Sequence, residues 1–105
     1  MKKPVTVFVT VPGASEAKKI VSAVLEKKLA ACASVIGGVR SMYWWKGKLE
    51  RSNESLIILK TDIKHFKKLA SEIKRMHSYK VPEIVALPII DGDPDYLEWI
   101  GESVR

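Results

Sequence analysis

Few residues in this chain could hold a metal ion or move a proton. There is one cysteine, Cys32, with two histidines, His65 and His77, and three methionines. Neither C-x-x-C nor H-x-x-x-H spacing occurs, so a structural zinc site within one chain is not expected. The richest stretch is "YKVPEI", residues 79 to 84. Its proline fixes a rigid turn, and Glu83 opens a strand that should be buried. A carboxylate there needs a partner, which Lys60 or the His77 imidazole could supply. Two readings stand: an ion pair joining subunits, or a polar cleft between subunits holding Lys60, Thr61, His77, Tyr79 and Glu83. His77 also closes a predicted helix, where a positive imidazole suits the dipole. His65 is expected on the surface. Cys32 reads either as a small buried apolar residue or as a soft ligand.

The elements that position these residues follow from periodicity. Val5 to Val11 alternates β-branched and aromatic residues as a strand, and Pro12-Gly13 ends it. From Ser15 to about Ala30, Ala17, Ile20, Val21, Val24 and Leu25 recur at helical spacing, with Ser15 as the expected cap. "ACASVIGGVRSMYWW" is extended with a break at Gly37-Gly38. Lys46-Gly47 makes a tight turn, and Lys48 to Lys60 returns as a second long strand. Ile63, Phe66, Leu69, Ala70, Ile73 and Met76 lie on one face of a second helix. "EIVALPII" is a fourth strand, and a short helix starts near Pro94. The order βαββαβ with a terminal helix predicts one α+β domain over 1–105, a ferredoxin-like sandwich with a long protruding hairpin.

Trp44 and Trp45 must then point to opposite faces of one strand. Two helices cover one face of such a sheet, yet Leu56 to Leu59 and Ile84 to Leu87 are apolar on both faces. Each hairpin arm spans roughly 40 Å, beyond the ~33 Å expected of a compact domain this size. The overhanging tip and the second sheet face therefore predict a closed homo-oligomer, with a three-fold ring favoured over a dimer. Tyr43, Trp44, Trp45 and Trp99 are the expected interface residues.

With 105 residues, 47% hydrophobic and 8% aromatic, the chain is a folded globular domain. A net charge of +6 invites an acidic partner. The lysine pairs 18–19, 27–28 and 67–68 fall on helix surfaces, either solvated or part of a binding surface. A single cysteine and no membrane-length apolar stretch point to a cytoplasmic protein with no membrane partner.

"AACA" at 30–33, "SMYWWKGKLE" at 41–50, "LIILKT" at 56–61, "HSYKVPEIVALPI" at 77–89 and "DYLEWI" at 95–100 follow one another in the order of a known family. Together they resemble the CutA family, the divalent-cation tolerance proteins. The resemblance implies a ferredoxin-like subunit in a tight homotrimer, a cytoplasmic role in the response to metal ions, copper binding in some members, and no established enzymatic reaction. It also implies an architecture similar to the PII-type signalling trimers, which bind small effectors between subunits.

The chain departs from the family pattern at Ser34, often Asn there, at Gly37-Gly38, often Pro-Gly, and at Ser78, usually Pro. Val9 and Met76 stand where some members carry an extra cysteine and histidine, so a copper site built on those ligands is not intact. Copper favours sulfur and imidazole, and the remaining set is Cys32, His77 and Glu83 gathered across chains. No cofactor is otherwise required.

Other classes are less well served. An RNA-recognition module shares the element order, but its aromatic strand motif is missing, so no nucleic-acid partner is expected. An acylphosphatase-like hydrolase needs an anion-cradling loop that "VPGASEA" does not provide. A PII-like effector-binding trimer with no metal site remains the alternative, although no glycine-rich phosphate loop supports a nucleotide.

Overall fold

The computed structural model describes residues 3–105. It has four strands and three helices in the order β1 (Pro4–Val11), α1 (Ala14–Glu26), β2 (Cys32–Trp45), β3 (Lys48–Asp62), α2 (Ile63–Met76), β4 (Ile84–Pro88) and α3 (Pro94–Ser103). The sheet runs β2-β3-β1-β4, with every neighbouring pair antiparallel. This is the predicted βαββαβ arrangement with its terminal helix.

Strand alternation divides the sheet into two unlike faces. Val5, Val7, Val9 and Val11 of β1 point one way, as do Ile57 and Leu59 of β3. All are buried against Ala17, Ile20 and Val24 of α1 and Leu69 and Ile73 of α2. The intervening residues, Thr6, Phe8, Leu56, Ile58 and Lys60, face the other way and are only half-buried. On that second face Val85 and Leu87 of β4 are 44% and 42% exposed, and Ile36 of β2 is 49% exposed. Helix α3 covers only part of it. Cys32, Lys60, Thr6 and Leu87 form one row across the sheet, and Tyr96 of α3 touches Cys32 at its end.

The hairpin extends well beyond the core. Strand β1 pairs β3 only from Ser55 to Asp62, so residues 48–54 have β2 alone as a neighbour. The molecule is 44 Å long against 26 and 22 Å across. Lys46 and Gly47 both take positive φ, 52° and 79°, as a two-residue turn joining strands of right-handed twist requires. The break at Gly37-Gly38 is a register shift between Ile36 and Val39, with Gly38 at φ 74°.

Four boundaries differ from expectation. Helix α1 starts at Ala14 with Gly13 as its cap residue, and no side chain caps it, so Ser15 sits inside the first turn. It ends at Glu26, because Lys28 adopts φ 57° and turns the chain into the core at Leu29 and Ala30. Strand β4 begins after Glu83 and stops at Pro88, which leaves Glu83 exposed. The other two helices are capped as polar residues should cap them: Asp62 accepts from the Lys64 amide and Asp93 from the Tyr96 amide, both at 3.0 Å.

Candidate functional site

Antiparallel register places the residues expected to form a site at two separate ends of the sheet. Cys32 pairs with Lys60, and Lys60 with Thr6. His77 instead contacts the carbonyl of Thr10, four residues further along β1, about 13 Å away at the usual rise. Ile84, next to Glu83, pairs with Val9 near that same end. The predicted cleft therefore splits within the subunit. Lys60 and Thr61 belong to one end, and His77, Tyr79 and Glu83 to the other.

Thr61 lines no cleft at all. It is fully buried on the helix face, where its hydroxyl donates to the Leu29 carbonyl at 2.7 Å. That bond fastens the chain as it leaves α1. Lys60 stays half-buried on the second face. The expectation that Glu83 is buried and paired also fails within the chain: it is exposed and forms no ion pair among the described residues. A Lys60–Glu83 pair could form only between chains.

His77 is held on both nitrogens. Its backbone amide caps α2 by donating to the Ile73 carbonyl. In the ring, Nε2 lies 2.8 Å from the Thr10 carbonyl, while Nδ1 accepts from the Tyr79 amide at 3.0 Å. This is the tautomer with the proton on Nε2, and neither nitrogen is left for a metal ion. Glu16 ties down the next residue, Ser78. Its Oε2 accepts from the Ser78 amide at 3.0 Å and sits 3.5 Å from His77 Nδ1. No group of three His, Cys, Asp or Glu side chains converges on a metal position among the described residues. Among the described residues the one hydrogen-bond partner of half-buried Cys32 is the Tyr96 hydroxyl at 3.6 Å. The residues present do not fit copper within one chain. His65 is half-buried rather than exposed, and its buried Nδ1 has no hydrogen-bond partner among the described residues.

The loop fixed by His77 forms one wall of a cleft of about 720 Å³ under the base of the hairpin. Tyr43 and Trp45 enter it from β2, Arg40 and Lys80 border it with positive charge, and Glu83 and Glu54 with negative charge. Glu54 is buried and accepts from the Tyr79 hydroxyl at 2.9 Å. Burial, reinforced by that carboxylate, pushes the Tyr79 phenol up to about 12, so it stays a donor at neutral pH. An aromatic wall with charges of both signs suits a small polar molecule with a flat or apolar part. Sequence reasoning found Tyr79 and Glu83 but missed Glu54, Glu16 and Arg40. A lone acid just before the apolar run "LIIL" was the only signal for Glu54, and nothing in the sequence marked the other two.

The double tryptophan divides as strand geometry requires. Trp45 pairs with Lys48 and Trp44 with Leu49, so the two indoles take opposite faces. Trp44 is 74% exposed and Trp45 is 43% exposed. Tyr43 and Trp99 are also exposed, and Trp99 stacks at a tilt on Tyr96 at 5.6 Å. All four expected interface residues are thus surface aromatics of the single chain.

Residues 5–103 match the model of the CutA1 divalent ion tolerance protein family. The chain is 44% identical over 101 residues to the divalent-cation tolerance protein CutA of Escherichia coli K12, covering 96% of this chain and 90% of that one. It is 41% identical over 101 residues to the chloroplastic protein CutA 1 of rice, Oryza sativa, covering 96% of this chain but 57% of the rice protein. The chain thus spans little more than half the length of that plant relative. Among solved structures, the divalent cation tolerance protein Cut A1 of Thermus thermophilus superposes with a TM-score of 0.94 at 40% identity, covering all of both chains. A match over nearly the whole chain in sequence, together with this agreement of fold, makes the chain a member of the CutA family of divalent-cation tolerance proteins.

Proposed function

We propose that this member of the family works as a homotrimer in the response to divalent metal ions, acting by binding rather than by catalysis. The observation that carries the reading is the second sheet face. Val85, Leu87, Ile36 and Trp99 are each more than 40% exposed there, a distribution that favours burial between copies. The overhanging hairpin, with Tyr43, Trp44 and Trp45 near its tip, suits the edge of a neighbour's sheet. The ionisable groups buried within the subunit, Glu54, Asp62, Glu72 and His77, are all spent on internal hydrogen bonds, which supports a role without acid–base chemistry.

Any metal site in this reading lies between subunits. Cys32 is the single soft ligand and Glu83 the exposed carboxylate. His77 joins only by giving up its bond to Thr10 or to Tyr79. The binding of a small effector in the manner of PII-like trimers is the second reading, favoured by the 720 Å³ cleft, with Tyr79 and, from a neighbouring chain, Lys60 as the expected contacts. The single cysteine supports a cytoplasmic setting, although the rice relative is named for the chloroplast; among the described residues no helix is long and apolar enough to cross a membrane.

Native mass spectrometry with copper and then zinc tests both parts. The metal reading expects a trimer taking up about one copper per subunit with selectivity over zinc, and loss of that uptake in Cys32→Ser. A trimer with no selective uptake would overturn the metal site and leave the effector reading. A monomer would overturn the proposal as a whole.

A further inference from the structure

We infer that the outer surface of the helix layer is a binding surface for the phosphate backbone of double-stranded nucleic acid. The charge distribution is the primary observation. Residues 14–28 and 63–76, which make up α1, α2 and the turn after α1, contain nine lysines and arginines against three glutamates. The rest of the chain carries nine basic and nine acidic residues. The whole net charge of +6 therefore sits on one layer of the fold.

The layer is also free to meet a partner. Its apolar side chains face the sheet, and Ile63 is the only large exposed hydrophobic residue on it. The apolar surface that an assembly would cover is the opposite face of the sheet. Along α2, Leu69 and Ile73 point into the core while Lys64, Lys67, Lys68, Lys74 and Arg75 are exposed. Only Lys27 and Arg75 are used internally, both on Glu72. Seven cations of the layer, Lys67 and Lys68 among them, form no ion pair among the described residues. An open bowl of about 450 Å³ lies between Leu29 and α2, with Lys27, Lys67, Lys68, Ser71 and Arg75 on its walls beside the single carboxylate of Glu72, which Lys27 and Arg75 neutralise; the remaining cations offer a seat for a phosphate.

The composition of the layer selects the partner. Its two helices contain no Asn, Gln, Trp or Tyr, and the stacking rings they do carry, His65 and Phe66, are half-buried, so the exposed surface offers cations for a backbone rather than aromatic platforms for unpaired bases. Contacts to the backbone of a duplex need only cations. Helix α2 is about 21 Å long and so runs past several successive phosphates. The missing RNA-recognition strand motif does not bear on this surface, which lies on the opposite side of the sheet from the one such a motif uses.

Fluorescence anisotropy of a labelled 20-base-pair duplex of mixed sequence tests this, with salt raised from about 50 to 300 mM. Three to five phosphate contacts predict a slope of about −3 to −4.5 in log affinity against log salt. Lys67→Glu/Lys68→Glu should weaken binding at least tenfold at low salt, and the milder Lys67→Gln/Lys68→Gln at least about threefold. Lys48→Glu/Arg51→Glu on the hairpin changes net charge equally and, compared at a concentration where native mass finds it assembled as the parent, should leave affinity nearly unchanged. Circular dichroism and native mass should find the helix-layer variants folded and assembled as the parent. No binding at 50 mM salt, equal weakening by the hairpin pair, tighter binding to a single strand than to the duplex, or capture by anionic phosphatidylserine vesicles without duplex binding would each overturn the inference.

Discussion

The two faces of the sheet are built from the same kinds of residue and end in opposite states. On the helix side Val7, Val9, Ile57 and Leu59 are completely buried. On the other side Phe8, Leu56 and Ile58 are half-buried, and Val85 and Leu87 are open. One face holds the subunit together, and the proposed assembly assigns the other to a neighbouring copy. On that proposal an apolar residue has a different meaning on each: removal of a side chain costs fold stability on the first and assembly on the second.

Substitutions at either face separate these two roles. The largest effect is expected from Leu87→Asp, which puts a charge on the open face at the edge strand β4 and, if copies cover that face as proposed, should convert the oligomer to monomers in sedimentation, with the far-ultraviolet spectrum preserved. Ile57→Ala on the closed face should cost about 2–5 kcal/mol of folding stability through the cavity it leaves, measurable by chemical denaturation under conditions where the subunits stay associated. Trp45→Ala, at the boundary between cleft and hairpin tip, should weaken assembly while sparing the subunit fold. An unchanged mass and melting temperature would remove Trp45 from the interface. Asp62→Ala should cost about 1 kcal/mol, the usual worth of a helix N-cap, and should leave the mass unaltered.

The smallest effect concerns pH and the helix side alone. The Arg75 and Lys27 side chains hold Glu72 at about 2, below its ordinary 4.5. A carboxylate lowered in the folded state contributes stability that is complete above its unfolded value and is lost as pH falls towards the folded one. The acid limb between roughly pH 4.5 and 2 should therefore be shallower in Glu72→Gln, as read from thermal midpoints across that range. Because Glu72 and its partners belong to the helix layer, away from the open sheet face, the oligomer mass should not follow the same titration.

The fold was legible because its signals are local. The alternation in Val5–Val11, the Lys46-Gly47 turn and the split orientation of the two indoles all follow from neighbours in sequence. The length of the hairpin against the size of the domain gave the overhang directly. The site was less legible because its composition depends on register. Lys60 and Thr61 stand beside "LIIL" in sequence, just as Tyr79 and Glu83 stand near β4. Only the pairing of β1 with both strands sets the two groups about 13 Å apart. Thr61 looked like a cleft residue, yet its odd position on β3 turns it to the core. Glu16 reaches Ser78 across 62 positions of chain, a contact that no periodicity encodes. Helix α1 also starts from Gly13 rather than with a Ser15 cap, because the turn at Pro12-Gly13 supplies the entry geometry without a side-chain bond.

Whether copies of the chain cover the open sheet face is read most simply from the native mass of the unmodified protein at low micromolar concentration. The expected mass is three times that of the 11.8 kDa chain, falling to a single chain in Leu87→Asp. A dimer would keep the covered face but replace three-fold closure. A stable monomer of the parent protein would contradict a covered face altogether.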